Sequence, residues 1–112
     1  MSKQETQKIA NYEHRRKKDL MANNPKYIFC GMYCPYGDLA HIIRKSNSSK
    51  KYSRLALFTM DRNNGLAHRE CHTVWDDHPK QRITLHRYKE CLKIIKEIDE
   101  DIYNEFILNM EK

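Results

Sequence analysis

From about Thr84 to Met110, apolar side chains recur at Leu85, Tyr88, Leu92, Ile95, Ile98, Ile102, Phe106 and Met110. That is the three-and-four spacing of one buried helical face. It predicts a long amphipathic helix, with a break allowed near Asp99. The other end of the chain is different. Residues 2–22 hold no Gly or Pro and only a loose apolar set of Ile9, Tyr12 and Leu20, beside the basic run His14-Arg-Arg-Lys-Lys18. This pattern predicts a weakly packed helix with a basic face, ended by Asn23-Asn24-Pro25. A merely solvated run of charge is the plain alternative.

Between these helices the pattern is short-ranged. Tyr27, Ile28, Phe29, Tyr33 and Tyr36 alternate with Cys30, Gly31, Cys34, Pro35 and Gly37, a composition that turns tightly. Leu39 to Ile43 predicts a short strand and Leu66-Ala-His68 a second one, with Asp61 to Gly65 as a turn between. Leu55 to Met60 suits either a strand or a helical turn. Glu70 to Asp77 predicts a helix that Pro79 stops from running on. The interval 44–54 carries five bases (Arg44, Lys45, Lys50, Lys51, Arg54), four serines and no acid. It is suited to phosphate contacts or to a solvated linker. The sum is an α+β fold in a single domain over 1–112: a basic helix at 1–25, a short-element core at 27–80 and a C-terminal helix at 84–111.

Composition limits what such a core can do unaided. The 112 residues are 39% hydrophobic and 32% charged, so one modest core is expected, with a staple to help it. No apolar run approaches the roughly 20 residues that span a bilayer, and the first residues show no apolar signal core. A soluble cytoplasmic protein is the expectation, and in that compartment cysteines act as metal ligands or buried thiols before they act as disulfides. The net charge of +6 is uneven. Residues 1–96 carry 20 Lys+Arg against 9 Asp+Glu, or +11, whereas 97–112 carry 1 against 6, or −5. The positive portion suggests a polyanionic partner.

Two cysteine-bearing turns supply candidate chemistry. Cys30-Gly-Met-Tyr-Cys34 and His68-Arg-Glu-Cys71 are close pairs of the sort a tetrahedral zinc site assembles. Cys30, Cys34, His68 and Cys71 are the expected structural zinc ligands. Spacing alone equally permits His72 in place of His68, and four unmetallated residues remain the bland alternative. Cys91, inside the C-terminal helix, is expected to be a packed thiol, and Val74 and Trp75 to be core contacts.

Within and beside those pairs, Asp38-Leu-Ala-His41-Ile-Ile is followed by Asn63-Asn64-Gly-Leu and then by Cys71-His72-Thr-Val-Trp-Asp76. A strand His, an Asn and a Cys-His in this order, over about residues 27–80, resemble the HNH endonucleases and their ββα-metal finger. The resemblance is closest to the small zinc-stabilised members found in phages and prophages. It implies a metal-dependent endonuclease in a bacterial or phage-infected cell, with His41 as general base. Asn63 or Asn64 would pin the loop between strands: spacing to the final His favours Asn63, and the Asn-Gly-Leu context favours Asn64. His72 and Asp76, one helical turn apart, would share a Mg²⁺, Mn²⁺ or Ni²⁺ ion. DNA would be the substrate, its backbone held by Arg44, Lys45, Lys50, Lys51 and Arg54.

One departure stands out. Many family members carry an Asp or His immediately before the base, and here that position is Ala40; Asp38 is near but not equivalent. A zinc-stapled module that binds nucleic acid or a protein without cutting is therefore the second expectation. The C-terminal helix offers a surface for a partner or for a homodimer.

Overall fold

A computed structural model describes residues 2–23, 26–32, 37–43 and 52–110. Cys34, Arg44, Lys45, Lys50 and Lys51 lie outside the described residues, as does the side chain of Arg54. The first helix, α1, runs over Lys3–Ala22; the Ser2 hydroxyl accepts from the Glu5 N–H at 3.1 Å and caps it. Ile9 is its one fully buried residue, as the sparse apolar spacing implied.

Two strands, β1 (Asp38–His41) and β2 (Asn64–Ala67), pair antiparallel, with Asp38 opposite Ala67 and His41 opposite Asn64. The turn-rich segment before them lies against this pair, and the Ile28 N–H donates to the Leu66 carbonyl at 2.9 Å. Gly65 permits that approach, because a Cβ there would sit 1.9 Å from Ile28 Cγ2. Gly31, at φ +75°, makes the tight turn before them.

Both strands differ from their expected bounds. Ile42 and Ile43 leave the ladder after His41, because their N–H groups donate to Asn63, to its carbonyl at 2.9 Å and its Oδ1 at 2.6 Å. β2 begins at Asn64, two residues early, since a single 3₁₀ turn at Asp61–Asn63 completes the reversal. The ambiguous segment is helical: α2 spans Arg54–Phe58, and the Ser53 hydroxyl accepts from the Ala56 N–H at 3.0 Å.

After β2 comes α3 (Arg69–Asp77), then a 3₁₀ stretch at Pro79–Thr84. The C-terminal helical pattern breaks at Asp99, where a break was allowed, into α4 (Tyr88–Ile98) and α5 (Glu100–Met110). Asp99 makes the division: it is extended, and its Oδ1 accepts from the N–H groups of Asp101 and Ile102 at 2.9 and 3.1 Å. A capped start is a better use of those donors than a helix forced through them.

Trp75 sits at the centre, fully buried, with Phe29 stacked at 5.0 Å and Phe106 at 5.2 Å. Its indole N–H donates to the Ile42 carbonyl at 2.9 Å, so α3 is tied to the residue following His41. The buried Arg82 donates to the Trp75 carbonyl at 2.5 Å and lays its guanidinium over the Phe106 ring at 4.5 Å. Cys91 is buried as expected, its thiol 3.4 Å from the Ile28 carbonyl, and Val74 packs against the core. The molecule is α+β, mostly helical around one small sheet, and among the described residues no helix is long and apolar enough to cross a membrane.

Candidate metal and acid–base site

His41 closes β1, with its ring stacked on Phe58 of α2 at 4.5 Å. A backbone hydrogen bond to Phe58 holds the imidazole, while its Nε2 is closed off from solvent and makes no hydrogen bond. The Glu13 carboxylate of α1 approaches it, with Oε1 3.7 Å from Nε2. Burial, and then the positive potential of His72, push the His41 pKa below its ordinary value of 6.5; Asp76 and the Phe58 hydrogen bond act the other way. A neutral imidazole with a fixed ring and an unused nitrogen is the form a general base requires.

Asn63 and Asn64 separate cleanly by what they touch. Asn63 is wholly buried: besides accepting from Ile43, its Nδ2 donates to the carbonyls of Ile43 and Leu57 at 3.2 and 3.1 Å. It therefore pins the end of β1, α2 and the start of β2 together. Asn64 faces α1 instead. Its Oδ1 accepts from Arg16 Nε at 2.8 Å, and its Nδ2 donates to the Tyr12 hydroxyl at 2.9 Å and the Met60 carbonyl at 3.0 Å. Tyr12 in turn donates to Asp61, which also pairs with Arg16. Asn64 is thus the clasp for the N-terminal helix.

On α3, His72 Nε2 lies 2.9 Å from Asp76 Oδ2, both side chains partly exposed. Two ligands bonded at about 2.1 Å to one octahedral ion are separated by about 3 Å, so the pair fits a shared divalent cation. Asp38, at the far end of β1, approaches the other side of the same ring: its Oδ2 is 4.0 Å from His72 Nδ1 and 3.7 Å from Arg69 Nε. Among the described residues no three His, Cys, Asp or Glu side chains are grouped tightly enough to hold a metal.

Of the expected zinc ligands, Cys30 and Cys71 meet. They share a hydrogen bond, and the Cys71 thiol pKa is raised by burial first and then by Cys30. Two neighbouring, partly buried thiols suit a soft cation that binds both. His68 instead precedes α3 with its ring 3.8 Å from that of Tyr27. Cys34 lies outside the described residues, as do four of the five bases expected to hold phosphate.

Sequence spacing missed the contacts made by Glu13, Tyr12 and Arg16. They arrive from a helix 28 or more residues from the elements they touch, and no local period encodes such a separation. Their one trace is positional, since Ile9, Tyr12, Glu13, Arg16 and Leu20 lie on one side of α1. His14, His78 and His86, given no role by sequence, are exposed. No family model, no curated protein and no solved structure matches this chain.

Proposed function

We propose that this chain is a metal-dependent HNH-type endonuclease acting on DNA. The observation that carries the proposal is His41, with its unbonded Nε2, held by Phe58 beside the His72–Asp76 pair. In this reading β1, β2 and α3 are the ββα-metal finger, and Cys30, Cys34, Cys71 and His68 form the structural zinc site. His68 would have to turn away from Tyr27 to join it. A divalent cation held by His72 and Asp76 would supply charge neutralisation at the phosphate and the leaving oxygen.

The protein's own residues do the rest. Once Glu13 swings aside and admits water, His41 Nε2 takes a proton from it as the water oxygen bonds to phosphorus and the bond to the sugar oxygen breaks. The Phe58 carbonyl keeps the other ring nitrogen protonated, so the same lone pair is presented in every turnover. Asn63 fixes the backbone just after the base, at Ile42 and Ile43. Arg44, Lys45, Lys50, Lys51 and Arg54 hold the strand by its phosphates, giving affinity with little sequence preference.

A plasmid nicking assay with the zinc-loaded protein in Mg²⁺, Mn²⁺ and Ni²⁺, with and without chelator, tests this. Cleavage that needs the added metal and falls at least a hundredfold in His41→Ala is expected. No cleavage with any metal, or cleavage indifferent to His41→Ala, overturns it. A second reading, a binding module that does not cut, is favoured by Ala40 in the usual ligand position and by Glu13 against the solvent-closed Nε2. That reading expects salt-sensitive DNA retention without turnover.

A further inference from the structure

His72 lies between two carboxylates that approach opposite edges of its ring, Asp76 at Nε2 (2.9 Å) and Asp38 at Nδ1 (4.0 Å). Without a cation, a proton on Nε2 donates to Asp76 at 2.9 Å. A cation shared with Asp76 displaces that proton, and only one neutral tautomer then serves the setting. A proton on Nδ1 faces Asp38 and leaves the Nε2 lone pair to the cation. An isolated imidazole exchanges between the two tautomers and rotates about χ2, so a ligand without a partner on its second nitrogen is poorly defined. The lack of a carboxylate or imidazole at Ala40 makes this more consequential, because His72 and Asp76 are then the only protein ligands proposed.

Resting on the metal-dependent reading above, we infer that Asp38 is a positioning residue for His72. Its carboxylate accepts the Nδ1–H, fixes the tautomer and raises the basicity of the ligating Nε2. The fold gives it this post. Asp38 begins β1 opposite Ala67, the last residue of β2, and α3 starts two residues later at Arg69. The β1 terminus therefore lies beside the first turns of α3, where His72 faces it. At 4.0 Å the two are not yet hydrogen-bonded, and the proposed bond requires a side-chain rotation of Asp38. Arg69 pairs with the same Asp38 oxygen at 3.7 Å but is 87% exposed, and its pairing is a minor restraint.

The test is Mn²⁺ binding by the zinc-loaded full-length protein, followed by the electron paramagnetic resonance signal of free Mn²⁺. His72→Ala abolishes the site. Asp38→Ala weakens it about 10- to 100-fold, with an unchanged melting temperature and zinc content. Asp38→Asn, whose side-chain oxygen still accepts from Nδ1, stays within about threefold of the parent by the same argument. Arg69→Ala binds as the parent does.

Equal Mn²⁺ affinity in Asp38→Ala and the parent overturns the inference and leaves the nuclease proposal standing. So does an Asp38→Asn variant as weak as Asp38→Ala, which would make Asp38 a ligand in its own right. A parent protein that binds no Mn²⁺ beyond its zinc overturns both.

Discussion

At the scale of single residues, His41 has its protonation set by its surroundings. The unfolded chain takes up a proton on this imidazole near pH 6.5, and burial together with His72 makes the folded chain refuse it until the pH is lower. Stability from this residue is complete above pH 6.5 and declines as the pH falls through the depressed folded value. Under the proposed chemistry the same shift keeps the base competent in mildly acidic solution. The acid limb of kcat/KM against pH is expected below 6.5, and a limb at or above 6.5 would show that another group controls the rate. Cys91 is the opposite case: burial pushes its thiol up to about 12, so it stays an inert packing group.

Among elements, the structure shows which local signals survive and which yield. The helical pairs around Asp99 and the His72–Asp76 turn were legible because their residues lie three or four apart on one face. The strand ends were not, because a long-range bond decides them: Asn63 draws Ile42 and Ile43 out of the ladder although both are ideal strand residues. Residues 54–58 became a helix through Ser53, a cap that an apolar pattern alone does not weigh. Of the two asparagines, spacing pointed to the one that pins the strands, while the role of Asn64 depends on a helix some 50 residues earlier. At the α4–α5 junction, Asp99→Ala should cost about 1 kcal/mol in chemical denaturation, with Asp99→Asn or Asp99→Ser recovering most of it. No loss in Asp99→Ala would mean that packing of Ile102 and Phe106, and not the cap, divides the helices.

For the molecule as a whole, the proposed structural zinc would support a core of this size. With Cys30 and Cys71 already in contact, removal of such a zinc would leave two partly buried thiols without a shared cation at the base of α3. One zinc per chain is expected by elemental analysis, and stripping it at neutral pH should lower the melting temperature by roughly 10 °C or more. A metal-free protein that melts at the same temperature would rule out a structural role. The charge division belongs to this scale too. The acidic segment 97–112 is largely α5, whose inner face packs on Trp75, leaving its exposed carboxylates on a different element from the candidate site.

That packing limits how far the central portion is modular. Trp75 receives Phe29 and Phe106 while its indole N–H holds the carbonyl of Ile42, the residue after the candidate base. A fragment ending near residue 80 would keep every motif residue yet lose the Phe106 ring and the Arg82 guanidinium from the face of Trp75. The indole would then be wetted, and the anchor beside His41 would slacken with it. The short elements that carry the motif are therefore not a transplantable cassette: the geometry around His41 is underwritten from the far end of the chain.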